Sequence, residues 1–306
     1  MSFAAFVETI LAAVAALSGP PAEHRPQVPA LSAREKAALL VVSGLPAPDG
    51  VGGVIVRAWD RNAPRPRDAL VFVDQEGGSA SAFPELPPDL AASEYDGKAA
   101  AFSAGRATGV ALRREGVHVD LAPVLDASGG PLGSRHFRDP SFGVAFARGL
   151  AAGGAGACAK HFPGLGSAST STDNAPRVHA RVQADELSAF RAAIDAGVPC
   201  VMLSHGLYEG FKNERAVVSP TAYRMLRRFQ FDGIAITDSL SIVRGPWPRL
   251  WAREAILAGA DLILFTSPYD ARRAIRALIP LARLGRLDER LERVTRFRAS
   301  FGLTTP

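Results

Sequence analysis

The sequence predicts an α/β fold, a (β/α)8 barrel of the TIM type in which one strand is irregular or missing. Short runs that are apolar on both faces alternate with helix patterns along most of the 306 residues, as parallel strands covered on each side by helices require. About seven such units fit into roughly 250 residues, the span of a single barrel. The rival doubly wound sheet is disfavoured because no G-x-G-x-x-G follows the first strand-like run. One domain is therefore expected over residues 31–306, with no linker in mid-chain.

Residues 1–30 are set apart as an N-terminal helix and a Pro-rich connector. MSFAAFVETILAAVAALSG puts Phe3, Phe6, Ile10, Val14 and Leu17 on one helical face, carries Glu8, and lacks Lys or Arg near its start. A secretory signal needs a basic start, so an amphipathic helix and a cytoplasmic protein are expected, with export through a degenerate signal as the alternative. Leu31 to Ser43 reads as a helix: Ser32 as N-cap, Glu35 completing a capping box, Gly44 just past the end. Strand runs follow at Gly52–Val56, Ala69–Asp74, His118–Pro123, Ala157–His161, Pro199–Ser204, Gly233–Thr237 and Asp261–Phe265. Between and after them lie helix patterns over Lys98–Glu115 (stopped by Gly116), 140–153, Ala184–Ala196 (stopped by Gly197), Leu250–Leu257, 269–283 and 287–300. Ser219-Pro220 starts another, with Ser as N-cap and Pro at the first helical position.

Composition removes several function classes. The formal charge is +5, but the arginines are spaced along helix faces (Arg224, Arg227, Arg228; Arg272, Arg273, Arg276) with no nucleic-acid motif beside them, so no nucleic-acid partner is expected. No stretch is long and apolar enough to span a bilayer. Cys158 and Cys200 each sit in an apolar run and are expected to be buried, unreactive thiols.

The chemistry is expected where strands end. Asp74, Asp126, Lys160 with His161, His205 and Asp238 each terminate a strand run. In a parallel barrel all strand C-termini open on one face, so these groups converge whatever their separation in sequence. Asp126 is balanced between capping a loop and a direct role, and His205 between a supporting hydrogen bond and a ligand contact. Glu76, before a Gly-Gly turn, reads as a buried brace accepting backbone hydrogen bonds. Asp238 leaves an apolar strand for a Ser-Leu-Ser loop, where burying a carboxylate without purpose is costly. Metal binding is disfavoured because Lys160 adds a fixed positive charge and no H-x-H or H-x-x-x-H spacing occurs. Two carboxylates across a sugar-sized pocket, with Lys and His to bond hydroxyls, suit glycoside hydrolysis.

Five segments carry a family resemblance: VFVDQEGG at 71–78, LAPVLD at 121–126, GSRHF at 133–137, AKHFPGLG at 159–166 and FDGIAITDSLSI at 231–242. In this order they resemble the catalytic barrel of glycoside hydrolase family 3, in particular its single-domain β-N-acetylglucosaminidase branch, from about Leu31 to Leu264. The resemblance implies a retaining enzyme with Asp238 as nucleophile and a covalent glycosyl-enzyme intermediate. It also implies that Asp74, Arg135, Lys160 and His161 contact sugar hydroxyls and that no metal or organic cofactor is needed; His205 joins them as a substrate-binding candidate from its strand end alone. A small carbohydrate acted on by a monomer is expected, drawn from cell-wall or chitin-like fragments.

The chain departs from the family pattern in two places. That branch usually reads KHFPGHGD followed by an Asp-x-His pair whose His is the acid/base. Here Leu165 and Ser167 replace the second His and the Asp of the motif, and an ungapped count puts Ser171 and Asp173 where the pair belongs. Asp173 is the expected acid/base, against a loop-capping role suggested by Asn174-Ala175-Pro176. After Asp74 the family usually continues with arginines, whereas this chain reads GGSASAF, which leaves the sugar specificity open. A β-glucosidase on the same barrel and a non-catalytic sugar-binding protein are the alternatives.

Overall fold

The computed structural model describes residues 31–242 and 248–304; the helix and connector expected over residues 1–30 lie outside the described residues. Eight parallel strands form the centre: β1 (Val41–Ser43), β2 (Gly53–Ile55), β3 (Leu70–Val73), β4 (Val119–Asp120), β5 (Gly156–Phe162), β6 (Cys200–Leu203), β7 (Ile234–Thr237) and β8 (Ile263–Phe265). They pair in the order β7-β6-β5-β4-β3-β2-β1-β8. A parallel bridge between Ile236 and Leu262 joins the two ends of that order, and Leu240 N donates to Leu264 O at 2.8 Å just beyond it. The sheet is thus a barrel, as the alternating runs predict.

The helices are α1 (Ala33–Leu39), α2 (Lys98–Arg114), α3 (Pro140–Ala152), α4 (Ala184–Asp195), α5 (Pro220–Arg228), α6 (Pro248–Ala258), α7 (Pro268–Arg283) and α8 (Asp288–Ala299). Local chemistry explains their ends. Ser32 and Glu35 form the expected capping box on α1, Asp139 and Ser267 cap α3 and α7, and proline opens α3, α5 and α7. Among the described residues no helix is long and apolar enough to cross a membrane.

The expected irregularity lies in the helices and not in the strands. No α-helix separates β1 from β2, and a single 3-10 turn, Ala58–Asp60, stands between β2 and β3. The helix expected over Leu31–Ser43 is two elements: α1 stops at Leu39, and Val41-Val42-Ser43 forms the eighth strand. Two adjacent β-branched residues suit a strand, and pairing with Ile263, Leu264 and Phe265 of β8 fixes them there. Gly44 is accordingly no helix stop. A Cβ on it would stand 2.1 Å from the Thr266 carbonyl oxygen, so glycine lets the ends of β1 and β8 close together.

The cysteines correct a second expectation. Cys158 of β5 and Cys200 of β6 are direct register partners, with Cα atoms 4.3 Å apart, and they are joined in a disulfide. Both are fully buried, as expected, but they are not thiols.

At the end of the barrel opposite the strand C-termini, Asp261 is fully buried just before β8. It accepts from Arg227 Nη2 at 2.6 Å, Arg293 Nε at 2.7 Å and Ala235 N at 2.8 Å. One carboxylate thereby ties α5, α8, β7 and β8 together. Removing it strands two guanidinium groups and a buried amide, so Asp261→Ala is expected to cost about 3 kcal/mol of stability. Urea unfolding checks this; turnover per folded molecule should stay at the wild-type level, because the other end of the barrel is untouched.

Candidate active site

The strand C-termini open into a cavity of about 360 Å³. Asp74, Lys160, His161 and Asp238 all line it, as the strand-end pattern predicts, and so do Arg135 and Asp173 from the loops. Asp126 and His205 do not; they are buried behind the wall. Leu121, Met202 and Leu264 give the cavity an apolar side.

Lys160 and His161 are neighbours in β5, and neighbours in a regular strand point to opposite faces. Here the register between β5 and β6 shifts between Ala159 and Phe162, and both side chains reach the cavity. Lys160 is 1% exposed. Its ammonium donates to Asp74 Oδ1 at 2.6 Å and stands 2.5 Å from Glu76 Oε1. Arg135 meets the same Glu76 with two parallel bonds, Nε to Oε2 at 2.7 Å and Nη2 to Oε1 at 2.8 Å. Glu76 is indeed a buried brace, but it holds two cationic side chains where backbone amides were expected.

The electrostatics follow from these contacts. Burial alone would raise the Glu76 carboxyl, but Lys160 and Arg135 outweigh it and hold the group at about 2. Burial would likewise depress Lys160, and Asp74 and Glu76 overcome it and push the ammonium up. Asp120, buried at the end of β4, goes the other way: desolvation pushes it well above the carboxylate range although it accepts from Gln75 N at 2.9 Å. The cluster thus joins Asp74 and Glu76 to Lys160 and Arg135, with Asp120 buried beside it.

Asp126 is a brace for β5 and the following turn. It accepts from the backbone N–H of His161 at 3.2 Å and of Leu165 at 2.7 Å, and its Oδ2 stands 2.8 Å from His161 Nδ1. A carboxylate at Nδ1 keeps the proton there and leaves Nε2 for a ligand in the cavity. His205 Nε2 donates to Ser239 O at 2.8 Å, and its buried Nδ1 has no partner among the described residues. Burial lowers its pKa despite the nearby Asp238 charge, so it is a neutral support for the loop after β7. Asp238 itself accepts from Ser239 N at 2.6 Å, which turns its carboxylate in the opening of that loop.

Asp173 is exposed, on the loop that follows the β5 turn. Its Oδ2 accepts from Ser171 Oγ at 3.3 Å, and Ser171 Oγ accepts from Asp173 N at 3.2 Å. Ser171 and Asp173 thus stand together, and both line the cavity.

The family is now decided by comparison. The Glycosyl hydrolase family 3 N-terminal domain matches residues 55–297. The chain belongs to glycosyl hydrolase family 3. A β-hexosaminidase of Stenotrophomonas maltophilia (strain K279a) is 31% identical over 244 residues, which cover 71% of this chain and 72% of that protein. One from Xanthomonas oryzae pv. oryzae (strain MAFF 311018) is 32% identical over the same shares. Among solved structures, the β-N-acetylhexosaminidase of Beutenbergia cavernae superposes with a TM-score of 0.77 at 26% identity, covering 88% of this chain and 99% of that one. M. tuberculosis LpqI superposes with a TM-score of 0.77 at 25% identity, covering 88% and 94%. As a member of this family the chain is a glycoside hydrolase.

Several site-building residues give no strand-end signal. Glu186 of α4 is 1% exposed and accepts from Ala127 N at 3.0 Å, Gly166 N at 2.7 Å and Gln183 Nε2 at 3.0 Å. Burial raises its pKa all the same. Gly164, at φ +128°, lies so close that a Cβ there would be 2.2 Å from the Glu186 carboxyl carbon. Tyr208 donates to Gly164 O at 2.7 Å, and Gln75 clamps the segment after β3 through Phe83, Leu86 and Pro87. The glycines of the PGLG run are the sequence trace of Glu186, since something must fill the space they leave.

Glu76 makes the fold sensitive to acid. Its folded pKa lies below the ordinary value, so its ionised form stabilises the native state above the ordinary carboxylate range, and that contribution fades as pH falls toward about 2. Denaturation of wild type and Glu76→Gln at pH 6 and pH 3 should show a stability gap that is wide at pH 6 and shrinks at pH 3. A gap of constant size would contradict the arrangement.

Proposed function

We propose that the chain is a retaining β-N-acetylhexosaminidase that removes terminal N-acetylglucosamine from cell-wall or chitin-like fragments. The observation that carries the reading is one cavity lined by two carboxylates with no cationic partner among the described residues, Asp238 and Asp173, beside Lys160, Asp74 and His161. The names of the relatives and neighbours described above support the sugar class.

In this reading Asp238 attacks the anomeric carbon. The carbon–oxygen bond to the leaving group breaks as a glycosyl ester forms on Asp238, and Asp173 gives its proton to the departing oxygen. Asp173, now a carboxylate, takes a proton from water as that water attacks the anomeric carbon, and Asp238 is released. Asp74, Lys160 and His161 Nε2 bond the ring hydroxyls, which holds the sugar in line with Asp238. Arg135 works through Glu76 by keeping Lys160 in place. A general acid must hold its proton in the complex, and in this reading the bound sugar shields Asp173 from water.

A sugar-binding protein without turnover is the second reading, favoured by the exposure of Asp173 and by its standing where the branch usually has His. Aryl β-N-acetylglucosaminides with a good and a poor leaving group separate the two. Asp238→Ala should abolish turnover of both. Asp173→Ala should slow the poor leaving group roughly a hundredfold, within the range of general acid catalysis, and the good one far less. Wild type that binds the sugar but turns over neither glycoside establishes the second reading, and better turnover of an aryl β-glucoside moves the sugar class.

A further inference from the structure

The cavity encloses the sugar that is cut, so the rest of an oligosaccharide has to lie on the rim. On that rim, two large aromatic side chains stand out in solvent. Trp59, in the 3-10 turn after β2, is 76% exposed, and Tyr269, in the first turn of α7 after β8, is 61% exposed. Both elements follow strand C-termini and therefore belong to the cavity face. In the barrel β1 alone separates β2 from β8, so the two aromatics share one side of the mouth.

Trp59 is connected to the cavity wall. The Arg57 guanidinium lies against its ring, 4.6 Å from the centroid. The same guanidinium donates to Asp60 Oδ2 at 3.2 Å and to the carbonyl oxygen of Thr266 at 3.4 Å. Thr266 lines the cavity, and so does Ile55, the last residue of β2. The missing side chain of Gly44 leaves room here, since a Cβ would press on Thr266 O and come within 3.4 Å of Arg57 Nη2. Arg61 continues the scaffold through ion pairs with Glu85 and Glu115. The indole is thus braced on one face by a fixed cation, while its other side is open. Tyr269 has a similar support, with Arg273 at 5.4 Å from its ring.

A rigid, exposed indole beside a sugar-cleaving cavity is a stacking surface for the apolar face of a pyranose ring, because it offers large area with little conformational entropy to lose. We propose that Trp59 is the platform for the sugar on the leaving-group side of the scissile bond, and that Tyr269 extends it for a longer chain. This rests on the reading above and adds that the enzyme selects oligosaccharides over glycosides whose aglycone carries no ring.

The test compares kcat/KM for triacetylchitotriose and for N-acetylglucosaminyl β-azide, whose leaving group has no ring to stack. Trp59→Ala should lose roughly tenfold on the trisaccharide, the scale of one stacking contact, and stay within about twofold on the azide. Trp59→Phe should recover most of the loss. Equal losses on both substrates, or none on the trisaccharide, overturn the platform. Calorimetry in an Asp238→Ala background gives a readout independent of turnover: that variant should bind the trisaccharide more tightly than N-acetylglucosamine, and adding Trp59→Ala should remove that preference. Wild-type turnover of neither substrate counts against the hydrolytic reading, while binding by the Asp238→Ala variant without preference for the trisaccharide counts against the platform.

Discussion

A buried ammonium group must be surrounded by anions, and Lys160 imposes that condition on the active face of this barrel. Its partners, Asp74 and Glu76, come from the segment after β3, and Arg135, from the segment after β4, completes the Glu76 carboxylate. Three successive strand ends are cross-linked by one group of charges. Lys160 and Glu76 are buried, so desolvation makes either of these two ions costly alone, while the half-exposed Asp74 closes the group from the solvent side. The pairing fixes Lys160 before any sugar arrives, which is what a site that recognises hydroxyl geometry needs. Asp120 lies beside this cluster, and burial raises its pKa against the charged form.

A second buried acid organises the other half of the mouth. Glu186 reaches from α4 to the turn after β5 and to the start of the loop after β4, and it satisfies amides of both. The glycines at 164 and 166 let the backbone approach the carboxylate closely enough for this. Asp126 does the same from the opposite side, through His161 and Leu165. The Lys-His-Phe-Pro-Gly segment is therefore held between two carboxylates, neither of which lines the cavity. On this face of the molecule Glu76, Asp126 and Glu186 position other groups.

The same distinction marks what could be read from sequence. Topology is legible because apolar runs and strand ends follow from periodicity, and it delivered Asp74, Lys160, His161 and Asp238 to one cavity. Whether a strand-end residue lines the cavity or braces it depends on side-chain direction and on partners distant in sequence, so Asp126 and His205 stay balanced between the two in the sequence. β1 was hidden because three strand residues directly continue a well-capped helix, and the ladder to β8 that makes them a strand lies more than two hundred residues away. The Cys158–Cys200 bond was hidden for a related reason: strand register, which no local pattern reveals, makes the two residues partners. Glu186 sits in an ordinary amphipathic helix, and its meaning appears only once Gly164 is folded against it.

The proposed acid stands outside the charge cluster, on a loop with its own ties. The loop bearing Asp173 is tied at its base, where Arg181 N donates to Ser167 Oγ at 2.6 Å, and at its far end, where Arg215 donates to Pro176 O and Leu207 N to Val178 O. Between these ties Asp173 is bonded to Ser171 of its own loop. Ser171 and Thr172 beside it are buried, so the exposed Asp173 side chain stands on a packed part of the loop. An aspartate reaches less far from its Cα than an imidazole, so on the reading that Asp173 takes the place of the family's His, this backbone has to stand nearer to the glycosidic oxygen. On that reading the span between the two ties shifts toward the substrate as a packed unit. On the proposed mechanism, the position of this loop and not the rigid wall of the cavity governs how well poor leaving groups are cleaved.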